Sequence, residues 1–200
     1  MMIGPPGVGK TLGASALSGL LPQPHRSVMQ ELQLLHDIAG SSPPTGPAFR
    51  APHHSSSVAA LLGGTAQALP GEISMAHGGV LFLDELPEFG RRALESLREP
   101  LEEGSIHIAR ASLSVEFPAD VVLVAAMNPC PCGYFDFRIR DTTKVLSNTP
   151  CVCSVDQVSR YRARLSGPLL DRIDIHVGVE QVAFDHLFGE ADRKSTRLNS

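Results

Sequence analysis

Val80, Leu81, Phe82 and Leu83 form an unbroken apolar run, and residues 121–126 form a second. Runs this short and this apolar predict strands buried on both faces. Between them the period lengthens. Leu94, Leu97 and Leu101 fall on one face of a helix predicted over residues 91–101, with Pro100 weakening its end. Val28, Leu32 and Leu35 predict a helix over 27–38, and the small apolar stretch 10–21 predicts another. Residues 106–108 and 113–117 alternate with period two and predict a hairpin turning at 109–111. Ser154-Val-Asp-Gln157 is a capping-box pattern, starting a helix that runs to about Leu165 and is stopped by Gly167-Pro168. Ile173, Ile175 and Val177 then alternate with polar residues as a last strand. Residues 39–79, rich in Gly, Pro, Ser and His, carry only a short strand candidate at 48–50 and a short helix candidate at 58–62. They read as a long insertion. Strands alternating with helices define an α/β fold with a parallel sheet.

The 200 residues suffice for one domain with a true core, and 42% hydrophobic with 19% charged residues places the chain among globular proteins. A net charge of −4 excludes a whole-chain basic field, so any nucleic-acid contact must come from local patches. No apolar run reaches the roughly 20 residues of a membrane helix, and no signal-peptide pattern opens the chain. A cytoplasmic location is expected. Residues 193–200 hold a single apolar residue without periodicity, and 189–200 are expected to be a disordered, non-native tail.

Three strand ends carry the candidate chemistry. Gly4-Pro5-Pro6-Gly7-Val8-Gly9-Lys10-Thr11 matches G-x-x-x-x-G-K-[ST] at every fixed position. Its glycines let backbone N–H groups turn inward on phosphate, Lys10 reaches the β- and γ-phosphates, and Thr11 offers a hydroxyl to Mg²⁺. Only three residues precede Gly4, so the strand that feeds this loop is expected to be truncated. The run 80–83 ends in Asp84-Glu85: Asp84 delivers a carboxylate to the same cation, and Glu85 stands one residue further, placed to polarise water. The run 121–126 leads to Asn128, where an amide can orient that water. The alternative is a turn-forming Asn before Pro129.

In this order the three motifs look like the Walker A, Walker B and sensor 1 of AAA+ ATPases. Three more stretches narrow the resemblance: Phe49-Arg-Ala-Pro-His-His-Ser55; Pro70-Gly-Glu-Ile-Ser-Met-Ala-His77, running on to Phe89; and Tyr161-Arg-Ala-Arg-Leu-Ser-Gly-Pro-Leu-Leu-Asp-Arg-Ile-Asp174. With them the sequence resembles the magnesium-chelatase-like ComM/YifB family of bacterial AAA+ proteins over residues 1–180. The resemblance implies a P-loop core over 1–188 that uses ATP and Mg²⁺, with an insertion in helix 2 and a hairpin before sensor 1. It implies a homo-oligomeric ring, six subunits by family likeness, that acts on DNA as a branch-migration or helicase motor. The alternative is a chelatase-like subunit remodelling a protein partner. It also implies a protease-like domain upstream and a helical lid downstream, so the sequence reads as an incomplete piece of a larger motor, inactive as an isolated fragment. Arg172 matches the arginine that in related rings reaches the neighbouring subunit's γ-phosphate; a surface pair with Asp174 is the alternative.

The remaining candidates are less specific. Cys130, Cys132, Cys151 and Cys153 make two close pairs, which suggests a four-thiolate Zn²⁺ site. Within each pair the spacing is one residue, tighter than usual for structural zinc, and four reduced thiols or a redox-labile pair stand as alternatives. Arg160, Arg162 and Arg164 read as a solvated helix face. His53 and His54 have no acidic partner near them in sequence and read as part of the insertion. His107 and Arg110 on the hairpin either touch phosphates or are plain surface.

Overall fold

A computed structural model of the chain describes residues 1–64, 68–110, 113–135 and 150–181, with the side chains of Arg110 and Leu113 excepted. The predicted tail over 189–200 lies outside them. The elements follow in chain order. Strand β1 (Met2–Ile3) leads to α1 (Lys10–Ser18) and α2 (Arg26–Ala39), and β2 (Phe49–Arg50) to α3 (Val58–Leu62). Strand β3 (Val80–Leu83) leads to α4 (Arg91–Ser96) and α5 (Arg98–Glu103). Strands β4 (Ser105–Arg110), β5 (Leu113–Pro118) and β6 (Val122–Met127) are followed by α6 (Val155–Arg162), α7 (Gly167–Leu170) and β7 (Val177–Gly178).

The central sheet has five strands in the order β2-β3-β6-β1-β7. Every pairing in it is parallel. Strand β3 is buried on both faces as expected, whereas β6 is so only from Val124 on, Val122 being 44% exposed at its start; along the buried parts alternate residues feed opposite cores. Leu81 and Leu83 of β3 join Ala125 and Met127 of β6 in a core with Leu94, Leu97, Tyr161 and Leu169. Val80, Phe82, Val124 and Ala126 meet Ala14 of α1 on the other face. Burying a side chain of this size contributes about 1.5–3 kcal/mol, so the middle of the sheet is its most stable part. Strands β4 and β5 pair antiparallel as a separate hairpin, with Ile106 opposite Phe117 and His107 opposite Glu116.

Several expectations change. Residues 39–79 are not wholly an insertion, because β2 is the edge strand of the central sheet, Phe49 opposite Val80. After α3 an isolated antiparallel bridge joins Gly63 and Pro70. The helix over 91–101 is two helices meeting at Leu97, and the second continues past Pro100 to Glu103. Pro100 is tolerated because it falls in the first turn of α5, where its missing N–H would lack an intrahelical partner anyway. Gly167-Pro168 does more than stop a helix: it opens α7, with proline in the first turn. The last strand is confined to Val177–Gly178. Ile173 is buried in the turn after α7, whereas Ile175 is 71% exposed, so that alternation does not mark one core face. The helix predicted over 10–21 ends at Ser18; Ala14 is its one buried residue, leaving Leu12 and Leu17 of the helix and Leu20 beyond it exposed. The capping box is formed as predicted, the Ser154 hydroxyl accepting from the Gln157 N–H while the Gln157 amide oxygen accepts from the Ser154 N–H.

Candidate active site

In an open parallel sheet, ligands bind beyond the carboxyl ends of the strands, where the strand order reverses. Here β6 lies between β3 and β1, with Leu83 level with Ala125 and Ile3 level with Met127. Asp84, Asn128 and the loop 4–11 therefore leave the sheet side by side. Gly7 and Gly9 have φ of 77° and 83°, a left-handed backbone that lets the loop turn back over the start of α1. Gly9 precedes that helix without a side-chain cap, leaving first-turn N–H groups facing the loop.

The Lys10 ammonium donates to Gly4 O and Pro5 O, both at 2.9 Å, and to Asn128 Oδ1 at 3.1 Å. Burial lowers its pKa, and the Asp84 and Glu85 carboxylates oppose that shift. Thr11 Oγ1 donates to Asp84 Oδ2 at 2.7 Å. Asp84 Oδ1 accepts from the Glu85 N–H at 2.8 Å, bracing the residue that follows. Glu85 itself takes left-handed backbone angles, φ 51° and ψ 45°. That conformation costs about 1–2 kcal/mol in a residue with a Cβ and turns its carboxylate off the strand line.

One partner of Glu85 was not legible in the sequence. His54 Nδ1 stands 3.1 Å from Glu85 Oε2 and its ring packs against that of His53, tilted by 35° with centroids 4.1 Å apart. Both histidines line a cavity of about 290 Å³ with Thr11, Pro52, Asp84 and Glu85. The histidine pair thus has an acidic partner after all, contributed from 31 positions away along the chain (85 − 54). Arg172 lies beyond α7 and pairs with Glu102 of α5, instead of the Asp174 that sequence proximity offered.

The stretches that carry the family resemblance bind one another. Arg50 makes a two-pronged pair with Glu72, at 2.6 and 2.8 Å, which raises the guanidinium pKa through that hydrogen bond. Arg164 donates to Pro87 O at 3.2 Å and Glu88 Oε2 at 2.8 Å. Arg162 donates to Pro129 O at 3.3 Å and lies over the Phe135 ring. Two of the three arginines read as a solvated face are therefore ties: Arg162 from the end of α6 to Pro129, and Arg164 from just beyond it to Pro87 and Glu88. Arg160 caps back onto its own helix at Asp156 O. On the hairpin, His107 faces Glu116 across the strands at 3.8 Å. The four cysteines are free thiols whose sulfurs all lie within 4.8 Å of one another. No helix among the described residues is long and apolar enough to cross a membrane.

The donor set fits a magnesium nucleoside triphosphate: a cationic lysine and a glycine-rich backbone for phosphates, and a hydroxyl touching a carboxylate for a hard divalent cation. Sheet order and strand-end residues together define a P-loop core of the AAA+ type. The family model described as magnesium chelatase, subunit ChlI, matches residues 1–187. An uncharacterized protein of Mycobacterium tuberculosis, Rv2897c, is 46% identical over 202 residues, covering 98% of this chain and 38% of its own. YifB of Escherichia coli is 44% identical over 90% of this chain and 34% of its own. The competence protein ComM of Haemophilus influenzae is 43% identical over 98% and 37%. The chain belongs to the magnesium-chelatase-like ComM/YifB family. It spans between 34% and 38% of the length of these relatives.

Proposed function

We propose that the protein hydrolyses ATP with Mg²⁺ as a ring-forming motor and that it works on DNA. The observation that carries the reading is the 2.7 Å contact of Thr11 with Asp84, with Glu85 next in the chain and Lys10 bonded to Asn128. In this reading Gly4 to Thr11 cradle the phosphates and Lys10 holds their charge. Thr11 and Asp84 hold Mg²⁺, which when bound neutralises charge developing on the phosphoryl oxygens. Glu85 takes a proton from the attacking water while Asn128 orients it. Arg172 leaves Glu102 to reach the nucleotide of a neighbouring subunit, which makes a homo-oligomer, six subunits by family likeness, part of the active site. DNA as the substrate is supported by the likeness to a protein named for competence. A cytoplasmic location agrees with both ligands.

A second reading, remodelling of a protein partner, is favoured by the magnesium-chelatase family match and by the net charge of −4, which provides no general attraction for a polyanion. Steady-state ATP turnover of the full-length protein, with and without single-stranded and forked DNA, separates the two. Mg²⁺-dependent turnover that rises with DNA supports the motor. Turnover indifferent to DNA supports the second reading, and no turnover under any condition overturns hydrolysis itself.

A further inference from the structure

Of the clusters outside the nucleotide cleft, the cysteines carry an inference furthest. Cys130 and Cys132 occupy a turn closed by the Gly133 N–H donating to Cys130 O at 3.0 Å. Cys151 and Cys153 lie just before the α6 cap and return to the same point. The sulfurs of Cys130 and Cys132 are 3.3 Å apart, Cys130 and Cys151 3.7 Å, and Cys132 and Cys151 3.6 Å. Four sulfurs at 2.3 Å from a tetrahedral zinc stand about 3.8 Å from each other. Disulfide sulfurs stand about 2.0 Å apart. The one-residue spacing inside each pair is thus no obstacle to convergence.

Packing does not account for the arrangement. Cys130 is fully buried, but the other three are only partly so. Backbone amides are turned toward sulfur instead: the Phe135 N–H donates to Cys130 Sγ at 3.3 Å, and the Cys153 N–H to Cys151 Sγ at 3.4 Å. Such donors stabilise thiolate and are the outer support expected of a metal–sulfur site. Four sulfurs this close cannot all carry charge without a cation among them.

We propose that Cys130, Cys132, Cys151 and Cys153 bind one zinc ion as four thiolates, and that this ion fixes the turn carrying Asn128 against the phosphate loop. All-sulfur tetrahedral donors select a soft or borderline cation over Mg²⁺ or Ca²⁺. Binding converts four thiols and Zn²⁺ to a tetrathiolate dianion with release of four protons, so it strengthens with rising pH. The mechanical link is short. Asn128 is two residues before Cys130. Gly133, at φ +90°, packs so close to the loop that a Cβ there would stand 2.6 Å from Pro6 Cδ. Arg162 ties the intervening Pro129 carbonyl to α6. The metal also anchors the two ends of the chain between the cysteine pairs.

Metal content is independent of the nucleotide reading; the coupling rests on it. The test uses full-length protein purified under reducing conditions without added metal. Elemental analysis should find about one zinc per chain. A mercurial titrating four thiols should release that zinc stoichiometrically, and cobalt substituted for it should show the strong visible absorption of tetrahedral thiolate ligation. Cys151→Ser and Cys153→Ser should each lose most of the zinc. If those variants do not fold, the mercurial and cobalt measurements on the unsubstituted protein decide. Zinc-free protein with four freely reactive thiols, iron in place of zinc, or an isolated Cys130–Cys132 disulfide each overturn the site. For the coupling, affinity for a fluorescent ATP analogue should fall when zinc is removed and recover when it is restored. Equal affinity in both forms overturns the coupling, whereas no affinity in either form overturns the nucleotide reading and leaves the metal result standing.

Discussion

The site has two parts that are held together differently. Lys10, Thr11, Asp84 and Asn128 are bonded to each other or to the loop backbone, Asp84 and Asn128 just beyond β3 and β6, whose last four residues are buried. Glu85 and Arg172 instead point outward and are held by partners from other parts of the chain, His54 and Glu102. The first group is preorganised, so its geometry is set before any ligand arrives. The second group is parked, held by half-exposed side-chain contacts of a kind worth about 0–1 kcal/mol. If the parked residues do the chemistry and the preorganised ones the binding, substitutions should separate turnover from affinity.

The sharpest break in that comparison is Arg172→Ala. It should lower ATP turnover of the full-length protein by about 10³-fold or more while leaving nucleotide affinity unchanged. Mixing it with Glu85→Gln protein should restore part of the activity, because mixed rings contain junctions with both residues intact. Mixed rings that form without rescue remove the action across subunits. Glu85→Gln alone should reduce turnover by about 10²–10⁴-fold, again with affinity intact, and normal turnover would sink its assignment as the base. Lys10→Ala should act on the other side of the comparison, weakening binding by roughly 10–100-fold, since a charge-assisted hydrogen bond contributes about 1.5–3 kcal/mol. Equilibrium titration with a fluorescent nucleotide measures it, and unchanged affinity would mean that the loop does not hold the phosphates. The smallest effect belongs to His54→Ala. Removing a pair of this kind should change turnover by no more than about fivefold and affinity not at all. A loss as large as that of Glu85→Gln would move His54 from a parking partner into the chemistry.

The residues of both parts were legible in the sequence, but the partners that hold the parked ones were not. Lys10, Thr11, Asp84 and Asn128 are marked by residue identity at fixed offsets from apolar strands, and strands buried on both faces cannot shift register without moving core residues out. The pairs His54–Glu85 and Arg172–Glu102 join segments far apart in sequence through exposed side chains, and no periodicity reports such contacts. The last strand was overcalled for a related reason. Ile173, Ile175 and Val177 alternate, but only two residues find a partner in β1, and alternation describes a strand only where a neighbouring strand exists to pair with it. The split at Leu97 was hidden because both helices present leucines to the same core.

Lys10 has three N–H donors, and its three acceptors are two loop carbonyls and Asn128 Oδ1. A phosphate oxygen approaching that ammonium meets no idle donor and must take one from an existing acceptor. The carbonyls of Gly4 and Pro5 belong to the loop that would embrace the ligand, so the amide of Asn128 would be the partner to exchange. Occupancy at the lysine would then be announced as a loosened asparagine at the tip of β6, two residues from the first cysteine. The loop would work as a switchboard as well as a grip.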